Sequence, residues 1–326
     1  MRLLSGDEVA RLLDIDSCIR CVEEAFCARG TGHRAPSATL GFPLPGGSLH
    51  AKVGSLELRR SYAAAKINAN IQGNPTERAL PTIQGILVLF DASSGAPLAV
   101  MDSASITTAR TAAASAVAAK HLARASASTV TFVGCGVQAE AHLRALGFVR
   151  PLARIFAVDT NVAAAERFAR AGSEQLESPI IVSGDIRACT RASDIIVTTT
   201  PSPSAILHFD DVREGTFIAA VGADNEDKQE LDVELLRRAV VVVDDLDQCA
   251  RMGDLHHALA AGVMEPNDVR GSLDEIVAGV RPARLNDSEI IVFDSTGIAI
   301  EDVAAAALVY ESAEERGIGF RPTSGP

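Results

Sequence analysis

The chain has 326 residues, 30 Lys plus Arg against 42 Asp plus Glu, and a formal net charge of −12. At roughly 150 residues per domain this length predicts about two domains and argues against a small binding module. The acidic balance argues against a nucleic-acid or anionic-membrane partner, because either surface needs a basic patch to offset phosphate repulsion. There is no Trp, with two Tyr and eleven Phe. The core must therefore be built from small side chains, and a ring-stacking platform for sugars or bases is disfavoured. No window is apolar for long enough to span a membrane, and the charged start MRLLSGDEVARLLDID does not read as a signal peptide. Cys18, Cys21, Cys27, Cys135, Cys189 and Cys249 lack framework spacing. The C-x-x-C pair of Cys18 and Cys21 falls in a helical segment with no second ligand pair at metal spacing. Reduced thiols, no metal and a cytoplasmic location are the expectation.

In chain order, Ser5 and Glu8 fit a capping box ahead of a helix carrying Val9, Leu12 and Leu13. A second helix runs through Ile19, Val22 and Phe26 and stops at Gly30. Residues 31 to 54 are rich in Gly and Pro and are expected to be loop with a short edge strand. In AAAKINANI, Lys66, Asn68 and Asn70 alternate with Ile67, Ala69 and Ile71, which predicts a strand with one polar face. ILVLFDASSGAPLAVMD predicts a hairpin turning at Ser94-Gly95. The first hundred or so residues thus read as two helices and a twisted, mostly antiparallel sheet.

Near Ser105 the pattern changes. SITTARTAAASAVAAKHLA predicts a long helix of small residues. Seven short apolar runs then alternate with helical segments: VTFVGCG, RIFAVDT, IIVSG, DIIVTTTPS, FIAAVGAD, VVVVDD and IIVFDSTG. Continuous Val/Ile runs between helices predict a parallel sheet covered on both faces. The last helix, AIEDVAAAALVYESAEE, carries an apolar stripe and is expected to return to the first domain. Only the terminal RPTSGP reads as loose.

Gly134-x-Gly136-x-x-Ala139 directly follows one of these strands and opens a helix. Gly134 permits a tight turn, Gly136 a close approach to a pyrophosphate, and Ala139 close helix–strand packing, with the helix N-terminus facing the anion. The next strand ends in Asp159, about 25 residues beyond Gly134, where an acid accepts both ribose hydroxyls and repels a 2′-phosphate. The motif therefore predicts NAD(H) rather than NADP(H).

Arg110 is expected in the first turn of the Ala-rich helix, where the dipole disfavours a cation unless an anion compensates it. It is either a carboxylate or phosphate ligand or a surface arginine paired with an acid. Lys66 is likewise either an anion ligand or a solvated edge lysine, and Thr82, between Pro81 and Ile83, offers a hydroxyl. Asp224 follows a strand at the carboxyl edge of the sheet, where open α/β sheets place ligands. It is either a solvated acid or a proton-transfer group tuned upward by partial desolvation. His256 and His257 are adjacent on a helix and are assigned structural roles.

Taken together, AAAKINAN, LPTIQG, LFDASSGAPLAVMD, ITTARTAAASAVAAKHLAR, VGCGVQA, VGADNEDKQELD and VFDSTGIAIEDVAAA, in that order, resemble the ornithine cyclodeaminase/mu-crystallin family. That family includes alanine dehydrogenases and ketimine or pyrroline-carboxylate reductases. The resemblance implies an α/β fold in which a Rossmann-type NAD-binding domain (116–299) is inserted into an α+β substrate and dimerisation domain (1–115 plus 300–326) of a homodimer. It implies that Lys66 and Arg110 hold the substrate carboxylate, that Lys66 is catalytic alongside the acid/base Asp224, and that Thr82 and Thr111 line the pocket. Cofactor contacts are implied at Thr111, Gly134, Gly136, Val137, Gln138, Asp159, Thr199, Val221 and Gly222, with Ser295, Thr296 and Gly297 on the nicotinamide side. Many members also carry a Pro-x-Arg at the end of the Gly/Pro-rich loop, but here Pro36 is followed by Ser37 and Ala38. Arg34, His50 or Lys52 is the expected substitute. The activity implied is NAD(H)-dependent interconversion of a small L-amino acid and its imino or keto acid. An ornithine cyclodeaminase using NAD catalytically, and a non-enzymatic NADH-binding crystallin-like protein, stand as alternatives.

Overall fold

The computed structural model describes residues 1–322, apart from Arg34, Leu58 and the side chain of Pro75. Arg34 and the last four residues of RPTSGP therefore lie outside the described residues. The chain forms two compact units, Met1–Thr111 with Ile298–Pro326, and Ala112–Gly297.

Unit one begins with β1 (Arg2–Leu4) and the helix Gly6–Leu12, whose capping box pairs Ser5 and Glu8 as the sequence predicts. Asp14 caps the helix Ile15–Gly30. The strands β2 (Ser37–Leu44), β3 (Gly47–Glu57), β4 (Ser61–Ile71), β5 (Ile83–Asp91) and β6 (Pro97–Asp102) follow. They form one sheet in the order β1-β6-β5-β4-β3-β2, antiparallel except for β1 against β6. The β2–β3 hairpin corrects the expected loop at 31–54. Pro45-Gly46 form its turn, Gly41 and Pro43 lie in the edge strand β2, and Gly47 and Gly54 lie on β3; Pro43 is tolerated because an edge has one unpaired side. The C-terminal helix (Ala299–Arg316) packs across β3, β4 and the helix Ile15–Gly30. Gly54 permits that approach, since a Cβ there would lie 2.6 Å from the Cβ of Ala299.

In unit two the predicted strands are β7 (Thr129–Val133), β8 (Arg154–Val158), β9 (Ile180–Val182) and β10 (Ile195–Thr198). A short pair, β11 (Pro203–Leu207) and β13 (Gln229–Leu231), brackets β12 (Phe217–Ala220). The series ends with β14 (Val240–Val243), β15 (Gly271–Ser272) and β16 (Ile291–Asp294). The main sheet is parallel throughout, in the order β15-β14-β16-β12-β10-β7-β8-β9. The two-residue β15 and the β11–β13 pair carry too little apolar pattern to be read from sequence. The remaining seven strands match the seven apolar runs. Their side chains, Val133, Ile196, Ile218, Val241, Val243 and Val292 among them, form a core of small aliphatic groups. The strand order reverses at β7, which lies between β8 and β10. In an open α/β sheet the crevice for a ligand opens at the carboxyl ends beside such a switch point.

Candidate active site

In unit one the two faces of the sheet carry opposite surprises. Side chains alternate along β4, so Tyr62, Ala64 and Lys66 share one face and Ala65 and Ile67 the other. The face bearing Lys66 is the one covered by the C-terminal helix: Lys66 is 3% exposed, whereas Ile67 is 42% exposed. The polar face therefore points inward. Lys66 Nζ donates to Asp302 Oδ1 at 2.7 Å. Lys52 is its direct neighbour across the β3–β4 ladder, and His50 lies on the same face opposite Asn68. Of the substitutes expected for the absent arginine, Lys52 and His50 thus share a face with Lys66, while Arg34 lies outside the described residues. Burial, together with the nearby positive charges of Arg110 and Lys52, pushes the Lys66 ammonium down to about 7 in spite of Asp302.

Arg110 requires a correction. The Ala-rich helix begins at Ser103, with the Ser105 N–H donating to Asp102 Oδ2 at 3.1 Å, so Arg110 is its eighth residue and lies about two turns in. Its charge is not compensated at the helix terminus. Instead Nη1 donates to Glu301 Oε2 at 2.7 Å, and Nε lies 2.9 Å from Asp302 Oδ1. All four charged groups are almost fully buried. Burial opposes ionisation of Asp302, but Arg110, Lys66 and Lys52 hold its carboxyl below the ordinary carboxylate range. Glu301 and Asp302 were missed in sequence. The available signal was two adjacent acids inside the apolar run AIEDVAAAA. Thr82 is half-buried just ahead of β5, its carbonyl accepting from the Ile71 N–H at 2.9 Å, while Thr111 is buried on the Ala-rich helix.

In unit two the glycine turn has the expected geometry. Gly134 adopts φ +87°, and a Cβ there would sit 2.8 Å from Thr200 Cγ2 and 2.9 Å from the Thr199 carbonyl oxygen. Gly136 is the N-cap of the helix Val137–Val149 with no side-chain cap, and a Cβ there would meet no protein atom within 4 Å. The first-turn N–H groups thus border open space, which suits an anion. Val137 is exposed, Ala139 is fully buried, and the buried Gln138 Oε1 has no hydrogen-bond partner among the described residues. Asp159 ends the β8 segment and accepts from the Cys135 N–H at 2.8 Å and the Asn161 N–H at 2.7 Å, which fixes its carboxylate beside the glycine turn. Thr199, after β10, donates to the Gly134 carbonyl at 3.0 Å. These features fit a dinucleotide pyrophosphate and ribose.

At the carboxyl ends of β10, β12, β14 and β16 lies a buried acid network that sequence reading did not single out. Glu230 accepts from Thr198 Oγ1 at 2.6 Å, the Thr200 N–H at 2.6 Å, Thr200 Oγ1 at 2.7 Å and the Gly222 N–H at 2.8 Å. Burial raises its carboxyl despite those four donors. Asp244 accepts from Thr296 Oγ1 at 3.0 Å and the Gly297 N–H at 2.5 Å, shaping the Ser295-Thr296-Gly297 segment. Asp294 accepts from the Leu255 N–H at 2.9 Å, and its carboxyl is pushed up to about 7 by burial. The acids thus hold the loops that carry Val221, Gly222 and Ser295. His256 and His257 contact the carbonyls of Ala250 and Lys228, in keeping with structural roles. Asp224 departs from the expected desolvation: its side chain is 46% exposed within its loop, and Lys228 Nζ lies 2.7 Å from its Oδ1.

Fold and site together define a two-unit protein with a dinucleotide-type glycine turn in one unit and buried cations paired with acids in the other. The chain belongs to the ornithine cyclodeaminase/mu-crystallin family, whose model matches residues 2–317. It is 39% identical over 323 residues to an alanine dehydrogenase from Archaeoglobus fulgidus, covering 98% of this chain and 97% of the relative. An archaeal alanine dehydrogenase dimer solved with bound NAD superposes with a TM-score of 0.93 at 38% identity, covering 98% of each chain. The Thermococcus litoralis Delta(1)-pyrroline-2-carboxylate reductase, in complex with NADH and L-proline, gives 0.95 at 34% identity, covering 99% of this chain and 100% of that one. No helix among the described residues is long and apolar enough to cross a membrane.

Proposed function

We propose that the protein is an NAD(H)-dependent oxidoreductase that interconverts a small L-amino acid with its imino or keto acid. The observation that carries this reading is the pair of buried cations, Lys66 and Arg110, on the inward face of unit one. Both are held by Glu301 and Asp302 in one buried cluster, and the relatives named above work on or bind small amino acids. Lys66 and Arg110 take the substrate carboxylate, and Lys52 adds a third positive charge on the same face.

Gly134, Gly136, Val137, Gln138 and Asp159 hold the dinucleotide, with Thr111, Thr199, Val221, Gly222, Ser295, Thr296 and Gly297 completing its contacts. When bound it supplies or accepts the hydride exchanged at the substrate Cα. Asp224 moves the proton at the substrate nitrogen, taking it in the oxidative direction and returning it in the reductive one. Lys228 occupies Oδ1 of that carboxylate, so Oδ2 is the oxygen for proton transfer. The chain acts as a homodimer: Leu40, Phe42, Val53, Ile67 and Ile86 give the outward face of the unit-one sheet an exposed apolar surface, which a second copy would cover. Six free thiols agree with a reducing, cytoplasmic compartment.

The test is incubation with NADH and either pyruvate plus ammonium or 1-pyrroline-2-carboxylate. NADH should be consumed in proportion to amino acid formed, and Asp224→Asn should lower kcat by about 100-fold or more with NADH affinity unchanged. Release of proline and ammonia from ornithine, with no net change in NADH, would overturn the reading in favour of cyclodeamination.

A further inference from the structure

Asp302 stands in the first turns of the C-terminal helix, in the run AIEDVAAAA, where the other buried residues, Glu301 apart, are apolar. A chain built there for stability alone gains little from a carboxylate, because desolvating the ions of a buried pair offsets most of their attraction. The acid nevertheless sits where one oxygen, Oδ1, touches both carboxylate ligands at once: Lys66 Nζ at 2.7 Å and Arg110 Nε at 2.9 Å. Its other oxygen is buried with no hydrogen-bond partner among the described residues. That pattern describes an anion placed for its cations rather than for the fold around it. The position is also electrostatically apt, since the helix N-terminus favours negative charge.

We propose that Asp302 is a positioning residue for the carboxylate site, fixing the aim of Lys66 and Arg110 toward a common point and keeping Lys66 charged. This rests on the reading that those two side chains bind the substrate carboxylate. The groups facing Lys66 come from three elements: Lys52 on β3, Arg110 on the Ala-rich helix, and Asp302 with Glu301 on the C-terminal helix. On the helix Ile15–Gly30, Cys18 lies within electrostatic reach of Glu301 and Arg110 and is held as a neutral thiol by its contact with Cys21 and by burial. Two like charges and burial thus drive the proton off Lys66, and Asp302 is the principal opposing charge. Glu301 cannot replace it, because its carboxylate is committed to Arg110 Nη1 and to the Ile298 N–H. Without Asp302, Lys66 is neutral at working pH and the site retains one aimed cation.

The test is calorimetric titration of the NADH-loaded protein with pyruvate between about pH 6 and 9, in two buffers of different ionisation heat. Proton uptake on binding reports how far Lys66 is deprotonated in the free site. Wild-type protein should take up a proton fraction that grows as pH rises through the Lys66 transition. Asp302→Asn should move that transition down by about one pH unit or more and weaken pyruvate binding by about tenfold. Asp302→Glu keeps the charge but displaces the oxygen, so it should leave the transition in place and weaken binding by about threefold. A purely structural role would lower melting temperature without moving the transition. An unmoved transition in Asp302→Asn overturns the proposal. Should that variant not fold, wild-type pyruvate affinity in Asp302→Glu overturns it. Failure of the wild-type protein to bind pyruvate, or equal binding by Lys66→Met, removes the carboxylate-site reading itself and is recognisable as a separate outcome.

Discussion

Lys66→Met, close in volume to the wild type, separates a lysine kept for function from one kept for the fold. Folded, the ammonium loses its proton near about 7, against 10.5 for an ordinary lysine. Between those values the unfolded chain binds more protons, so this group makes stability climb with pH across that window and weighs fully against folding below it. The gap corresponds to at most about 5 kcal/mol. Opposing it, the variant loses the charged hydrogen bond to Asp302, about 1.5–3 kcal/mol. Asp302 is not stranded, because Arg110 Nε remains 2.9 Å from the same oxygen. Relief of burial therefore exceeds the lost bond, and Lys66→Met should be at least as stable as wild type at about pH 6, by up to roughly 2–3 kcal/mol. The advantage should shrink toward about pH 9 as wild-type Lys66 sheds its proton. Urea denaturation at both pH values measures this, while carboxylate-substrate turnover should fall by about 100-fold or more. A variant less stable by about 3 kcal/mol at both pH values would show that Lys66 is an ordinary structural ion-pair partner, and the reasoning would fail.

The glycine turn allows a matched pair. Gly134→Ala forces a side chain into φ +87° with contacts below 3 Å and should cost about 1–3 kcal/mol of stability, read by thermal melting. Gly136→Ala meets open space and should melt like wild type yet weaken NADH binding by about tenfold or more, read by fluorescence titration. Buried His142, held neutral down to about 4 by desolvation, should make unit two lose stability as pH falls from 6.5 toward 4, because the unfolded imidazole takes the proton first. His142→Leu should flatten that slope by up to about 3 kcal/mol, measured by denaturation across the interval. Phe42→Glu, on the outward face of the unit-one sheet, should convert a dimer to a monomer in analytical ultracentrifugation without loss of the monomer's circular dichroism.

How far these features could be read from sequence depends on whether their cause is local. The capping box at Ser5 and Glu8, the seven apolar strands and the Gly134 turn are legible because each follows from nearby backbone chemistry or from a short period. The β2–β3 hairpin was hidden because Gly and Pro mark both loops and edge strands, and only pairing with β4 separates the two. The helix start was misplaced because Asp102, at the end of a strand, doubles as a hydrogen-bond acceptor for the helix. Neither error changes which residues matter, but the second changes why Arg110 matters.

The orientation of β4 is the step that sequence periodicity cannot supply. Alternation establishes that Lys66 and Ile67 face opposite ways but not which way is in, and the ordinary assumption puts the apolar set inward. Here the helix carrying Glu301 and Asp302, about 235 residues further along, covers the polar face. The inner face is covered by an acid-bearing helix, while the outer face exposes apolar side chains that the proposed second copy would cover. A chain with net charge −12 repels an anionic cofactor, and the proposed anionic substrate, at long range. Its positive groups must therefore be concentrated, desolvated and individually restrained by internal acids. The buried Lys66, Arg110, Glu301 and Asp302 set is the proposed answer to that constraint, and its cost in stability is the reason a Lys66→Met variant should fold as well as the wild type.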